Sequence, residues 1–256
     1  WVPTLSAHAG ERGIAFLASA FDPDSVRVLE EVDVPAHKVA SSEATNIALL
    51  DQIASTGKPV FLSTGMCDTV DVEEAVTLCL ARGNTKISLL QCGTMYPLPA
   101  EHAHLRVMDL YRQRYGGPVG WSDHSLGLTL SIAAAGHGAA VIEKHFTHDR
   151  GAEGPDHFYA LEPDELTHLI EAIHEVHAAL GRPEKEMLPS EREFGRREGL
   201  YAARDIPGGA RLSDDDIEVR RPAVGLRARY RATITGAEAL HAIEAGAPLQ
   251  WSDIQL

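Results

Sequence analysis

Cysteine is scarce in this chain. Cys67, Cys79 and Cys92 are odd in number and widely spaced, which suggests neither a disulfide framework nor a zinc knuckle. Basic charge is short as well: Lys and Arg number 23 against 37 Asp and Glu, a net of −14. Nucleic acid needs a basic face, so it is not an expected partner. No apolar run approaches the roughly 20 residues that span a bilayer, and the start does not look like a signal peptide. No membrane association is expected, and a reducing, cytoplasmic setting is the default. G-x-G-x-x-G follows no strand-like segment, which weakens a dinucleotide reading. G-x-S-x-G is absent, and no Ser-His-Asp arrangement stands out.

What the sequence does contain is a regular alternation. Apolar strand patterns at 14–20, 37–41, 59–64, 87–92, 119–123 and 140–146 are each followed by a helical pattern. Helix signals are local: Asp22-Pro23 opens one helix, acidic residues begin the helix of about 71–82, and Gly83 stops it. The last helix, 162–180, keeps Leu166, Leu169, Ile170, Ile173, Val176 and Leu180 at helical spacing and ends at Gly181 and Pro183. Parallel strands joined in this way need helices over them, leaving a barrel or a doubly wound sheet.

The strand ends favour the barrel. Ser19, Ser41 and Ser63 fall 22 residues apart, each at the C-terminal end of its strand, and Thr94, Ser122 and His145 continue the series. A barrel gathers polar groups from all its strands at one face, whereas a doubly wound sheet concentrates them in one crevice. The expected fold is therefore α/β, a (β/α)8 TIM-type barrel lacking its first two strands. Residues 5–13 read as the end of a helix already under way, so truncation at the N-terminus is expected too. The barrel is expected over 1–180 and a charged linker over 181–199. A small β-rich domain of short strands and turns follows over 200–256.

Gly120–His157 holds the densest polar chemistry. His124 and His145 end adjacent strands that would lie about 4.8 Å apart, close enough to present both imidazoles to one divalent ion. Mn, Zn, Fe or Co suits such ligands, with Asp156 or water completing the shell. With 13 histidines in the chain, surface or satisfied core positions are equally open for both. Lys38, Ser41 and Ser63, with the backbone N–H groups of Ser63–Met66, suit a phosphate or carboxylate. Lys38 paired with a neighbouring carboxylate such as Glu43 is the other reading. Tyr96 reads as a packed aromatic or a contact residue, and Arg220 and Arg221 as solvated surface or a ligand contact. From these residues alone, a metal-dependent barrel aldolase or hydrolase and a non-catalytic binding chain both stay open.

The runs F-L-A-S-A-F-D, H-K-V-A-S, G-K-P-V-F-L-S-T-G-M, Y-P-L-P, V-G-W-S-D-H-S-L-G, V-I-E-K-H-F-T and G-P-D-H, in this order, resemble the N-acetylneuraminate (sialic acid) synthase family. The tail A-R-D-I-P-x-G…I-x-V-R-R-P-x-x-G-L is similar to that family's C-terminal antifreeze-like (SAF) domain. The resemblance implies an eight-stranded barrel, a SAF domain and a domain-swapped homodimer. It also implies condensation of phosphoenolpyruvate with N-acetylmannosamine or a related 2-acetamido sugar, giving a nonulosonic acid and phosphate. The implied cofactor is a divalent metal, Mn2+ first, with Mg2+ or Co2+ as alternatives. Metal ligation then falls on His124 and His145, and phosphoenolpyruvate contacts on Ser19, Lys38, Ser41, Ser63 and Ser122. Tyr96 and Asp156, with Glu143 beside them, take the sugar-binding and catalytic positions. Thr94 stands where some relatives carry a sugar-contacting amide, and Arg221 matches the partner-reaching SAF arginine. The family's first strand carries a glutamate in an N-H-N-G context and its second a phosphoenolpyruvate-binding lysine; neither motif occurs in this sequence. A legionaminic, pseudaminic or surface-polysaccharide sugar synthase, or an inactive truncated member, is the alternative.

Overall fold

A computed structural model describes residues 1–194 and 197–256. The chain divides into two compact units, Trp1–Arg182 and Pro183–Leu256. The first contains α1 (Val2–Glu11), α2 (Pro23–Glu31), β1 (His37–Val39), α3 (Ile47–Ser55), β2 (Val60–Ser63), α4 (Thr69–Ala81), β3 (Ile87–Cys92), α5 (Val107–Tyr115), β4 (Val119–Asp123), α6 (Thr129–Gly136), β5 (Val141–Lys144) and α7 (Pro163–Leu180). Side chains set the helix starts. Asp22 accepts from the Ser25 N–H, Asp68 and Asp71 form a capping box, and Glu162 and Glu165 form another.

All five strands pair in parallel in the order β1-β2-β3-β4-β5. No reversal of strand order occurs, so the doubly wound alternative falls. The sheet is strongly curled. Laid flat, β1 and β5 would lie roughly 19 Å apart, beyond the combined reach of a lysine and a glutamate. Yet Lys38 Nζ on β1 sits 3.5 Å from Glu143 Oε2 on β5. The fold is thus mixed α/β with a curled parallel half-barrel. Its apolar layer between strands and helices includes Leu50, Ile53, Leu62, Met108 and Trp121.

The strand expected at 14–20 does not form. Ser19 makes a single parallel bridge to Lys38, and Ile14 is 65 % exposed. Among the described residues this segment has a hydrogen-bonding neighbour on one side only, which leaves a ladder unfinished. Ser41 lies in a 3-10 turn beyond β1, and both histidines stand one residue past their strands rather than on them.

In the second unit, α8 (Pro189–Phe194) occupies part of the stretch expected as linker, of which residues 195 and 196 lie outside the described residues. Then come β6 (Gly199–Ala202), β7 (Ile217–Arg220), α9 (Arg231–Ile234), β8 (Glu238–Ala239) and β9 (Ile254–Gln255). β6 pairs antiparallel with β7, and β8 with β9. The unit carries an internal repeat at an offset of 37 residues that sequence reading missed. Ile206 and Ile243 exchange two backbone hydrogen bonds of 2.8 Å. Gly209 and Gly246 both take positive φ, and capping boxes recur at Ser213/Asp216 and Gln250/Asp253. Leu200, Leu212, Ile234 and Leu249 fill the small core. Among the described residues no helix of either unit is long and apolar enough to cross a membrane.

Candidate active site

The C-terminal ends of the five strands surround a cleft of about 350 Å3. At one end β1 and β2 present Lys38 and Ser63. Lys38 Nζ donates to Ser63 Oγ and to the Val39 carbonyl, both at 2.9 Å, and the Ser63 hydroxyl donates to Glu143 Oε2 at 3.3 Å. The lysine's carboxylate partner is therefore Glu143 from the far edge of the sheet. Glu43, the neighbour considered from sequence, accepts instead from Ser42. Ser41 Oγ accepts from the Gly65 N–H at 2.9 Å. A Cβ at Gly65 would stand 2.5 Å from Thr94 Cγ2 and 2.9 Å from Ser41 Oγ, so only glycine lets this backbone approach. Ser19, Thr94 and Ser122 complete the wall.

At the other end stand the imidazoles. Their ring centroids are 5.3 Å apart, and Tyr96 stacks 4.2 Å from His124. His124 Nδ1 lies 2.7 Å from the Gly93 carbonyl, with Cys92 Sγ at 3.8 Å. Donating Nδ1–H to that carbonyl leaves the Nε2 lone pair free, the usual arrangement of a metal-ligating histidine. Burial alone would lower the pKa of His124, but its bonds to Cys92 and Gly93 outweigh burial and the net shift is upward. Burial pushes His145 down, helped by the charge of His124. Burial would raise the Cys92 thiol, and the bond to His124 reverses this to a net lowering. Tyr96 and Tyr159 are both pushed up, chiefly by burial.

These donors fit a divalent ion bound by two imidazoles with oxygen co-ligands. Among the described residues no third His, Cys, Asp or Glu joins them. Asp156, considered from sequence as a further ligand, has Oδ2 4.0 Å from His145 Nδ1, while its Oδ1 accepts from the Tyr159 hydroxyl at 2.7 Å. The other positions around an ion would fall to water or substrate oxygens.

Sequence reading counts Asp123 and Lys144 among the polar groups crowding the strand ends, as pointers to a site, and does not pair them behind the imidazoles. Asp123 and Lys144 immediately precede the two histidines and are 0 % and 4 % exposed, with Oδ2 and Nζ 3.0 Å apart. Asp123 also accepts from the Ser125 N–H and hydroxyl and from Ser131, while Lys144 donates to the Ser125 carbonyl. The signal was present: a charged residue before each histidine, turned by strand alternation to the opposite face, predicts a buried pair linking β4 to β5. Tyr159, almost fully buried, carried no such signal because its loop has no periodicity. Arg221 lies in the second unit, exposed, with Glu198 at 3.3 Å.

Comparison with known proteins gives these features a family. The NeuB family model matches residues 1–185 and the SAF domain model residues 197–255. An N,N'-diacetyllegionaminic acid synthase of Legionella pneumophila is 35 % identical, covering 98 % of this chain and 72 % of that protein. A pseudaminic acid synthase of Helicobacter pylori is 31 % identical over 100 % of this chain and 76 % of its own. The crystal structure of an N-acetylneuraminic acid synthetase from Leptospira borgpetersenii superposes with a TM-score of 0.72 at 33 % identity, covering 75 % of this chain and 67 % of that one. The protein is therefore a member of the NeuB, or sialic acid synthase, family, with a SAF domain following its half-barrel.

Proposed function

We propose that the protein condenses phosphoenolpyruvate with a 2-acetamido sugar, N-acetylmannosamine in the first instance, giving a nonulosonic acid and phosphate. One observation carries this reading. A lysine–serine anion site and a two-histidine site share one cleft, with Glu143 between them. Lys38, Ser41, Ser63 and the Gly65 N–H offset the charge of phosphate and carboxylate. His124 and His145 would hold a divalent cation, Mn2+ by preference, which when bound supplies electrophilic polarisation of the sugar's open-chain aldehyde.

C3 of phosphoenolpyruvate attacks that aldehyde carbon, and water adds at C2. Glu143 takes the proton the water gives up, and that proton is returned to the alkoxide left on the sugar's former aldehyde oxygen. The tetrahedral intermediate then loses phosphate by C–O cleavage, so one phosphoenolpyruvate, one sugar and one water give one acid and one phosphate. Tyr96 and Asp156 orient the sugar. Most of the acceleration is positioning, worth roughly 7–11 kcal/mol in well-oriented systems. A diacetamido sugar of the legionaminic or pseudaminic type is the second reading, favoured by the names of the Legionella and Helicobacter relatives. A homodimer belongs to the same proposal, and analytical ultracentrifugation reads it directly.

The test is phosphate release from phosphoenolpyruvate in the presence of Mn2+ and a panel of 2-acetamido sugars. Release that requires one of the sugars, matched one-to-one by a new nonulosonic acid, is expected. Release with no sugar on the panel would overturn the reading.

A further inference from the structure

The chain leaves β2 through a tight turn, Thr64–Cys67, closed by the Cys67 N–H donating to the Thr64 carbonyl at 3.3 Å. Met66 is the third residue of that turn, and its φ is +63°. Turns with a positive φ at this position ordinarily carry glycine or asparagine there. The glycine of this turn stands one place earlier, where Thr94 and Ser41 leave no room for a Cβ. Among the described residues two other non-glycine positions take positive φ, Asp33 and His104. Both are of types enriched in the left-handed region. A long, unbranched methionine is not.

Nor does a core hold the side chain in place. Met66 is 69 % exposed and lines the cleft at the end where Gly65 meets Ser41 and Thr94. A side chain kept where glycine would relax the backbone, yet left mostly in solvent, is explained by what it meets when the cleft is filled. Lys38, Ser41 and Ser63 at that end are cationic or hydroxylic. They match the phosphate and carboxylate of phosphoenolpyruvate, not its enol carbons, which are its apolar part. We propose that Met66 is a specificity-determining residue for that substrate. Its flexible, polarisable thioether folds over the enol carbons and distinguishes an enol phosphate from a bare anion. This rests on the reading of phosphoenolpyruvate as the ligand of the Lys38 end.

Calorimetry on the full chain, with phosphoenolpyruvate and inorganic phosphate as separate probes, tests this. Met66→Gly relaxes the turn and removes the side chain. It should weaken phosphoenolpyruvate roughly 4-fold or more, the worth of about one buried CH2, and leave phosphate binding unchanged. Its urea midpoint should be no lower than that of the unaltered protein, because the strained φ suits glycine. Met66→Ala keeps the strained backbone without the thioether and should lose phosphoenolpyruvate in the same way. Unchanged phosphoenolpyruvate affinity in either variant overturns the inference. Equal losses for both probes do so as well, since Met66 would then shape the turn rather than touch the substrate. A lowered urea midpoint in Met66→Gly would make the methionine a packing residue, which also overturns it. If the unaltered protein binds phosphate but not phosphoenolpyruvate, the reading of the Lys38 end itself fails, and the inference with it.

Discussion

The two ends of the cleft are backed in opposite ways. Behind the imidazoles, Asp123 and Lys144 form a buried ion pair whose remaining hydrogen-bonding capacity is taken up by Ser125 and Ser131. Behind the Lys38 end, among the described residues, the nearest counterpart is His37 with Glu30 and Lys58, in which only the histidine is fully buried. Lys38, with a side chain only 11 % exposed, is itself the working group and is steadied across the cleft by Glu143, which is 42 % exposed, and the shape of this end comes from close backbone packing at Gly65. One end is fixed by buried charge and the other by the absence of a Cβ. A site that must hold a metal ligand pair at constant spacing gains from the first. On the proposed function the Lys38 end must also release a phosphate, and there an anion can replace Glu143, whose side chain is partly exposed, without leaving a buried carboxylate unpaired.

The largest effect should come from breaking the buried pair. Lys144→Met strands the Asp123 carboxylate, and removing one partner of such a pair costs about 3–5 kcal/mol. Urea denaturation should show this as a lower midpoint. Replacing both charges with apolar groups should recover only part of it, since Ser125 and Ser131 then lose their acceptor. A loss under 1 kcal/mol for Lys144→Met would mean that the pair does not brace the imidazole end.

At the anion end the same kind of change should leave the fold alone and strike binding. Lys38→Met removes charge-assisted hydrogen bonds worth about 1.5–3 kcal/mol, so the KM for phosphoenolpyruvate should rise roughly 10–100-fold with the urea midpoint little moved. Steady-state kinetics with the sugar held constant checks this. An unchanged KM would remove Lys38 from the anion site.

Gly65→Ala tests the packing directly. The added methyl meets Thr94 Cγ2 at 2.5 Å and Ser41 Oγ at 2.9 Å, and overpacking of this kind costs about 1–3 kcal/mol. Because both side chains line the cleft, the same variant should weaken phosphoenolpyruvate binding while Mn2+ affinity, set at the other end, is retained. Equal losses at both ends would erase the distinction.

Much of this was legible in the sequence, and the reasons are physical. Caps at Asp22, Asp68 and Glu162 act within one turn, so the helices they open could be read from short windows. The polar residues ending apolar strands marked the mouth, and Lys38, Ser63, Tyr96, Glu143 and the two histidines do line one cleft. What local pattern could not supply were pairings across the curl. Lys38 meets Glu143 rather than Glu43 because the sheet bends, and no window of sequence holds the two together. The segment at 14–20 has the apolar run of a buried strand, but a ladder needs a neighbour, which is a property of the fold and not of the segment. The repeat in the SAF unit was legible too, since Ile206 and Ile243, Leu212 and Leu249, and Ile217 and Ile254 recur at the same offset and share one core, but a reading by short windows does not compare segments 37 residues apart.

The last and smallest difference lies beneath β1, where His37 is wholly buried next to Lys38 in sequence. Its Nε2 lies 2.9 Å from Glu30 Oε1, Glu30 is also held by Lys58 at 3.0 Å, and Nδ1 has no hydrogen-bond partner among the described residues. Burial holds the pKa of His37 below its ordinary value, with Glu30 opposing only in part. The sign follows from proton counting. As the pH falls below about 6.5 the unfolded histidine takes up a proton that the folded one refuses, so the unfolded state binds more protons and stability drops. It keeps dropping until the pH reaches the lowered folded pKa. Urea midpoints at pH 7.5 and 5.5 should therefore separate further for the unaltered protein than for His37→Gln, which does not titrate there. If the two separations are equal, His37 is not the acid-sensitive support of the anion end, and the strand carrying Lys38 is no more labile to acid than the strands carrying the imidazoles.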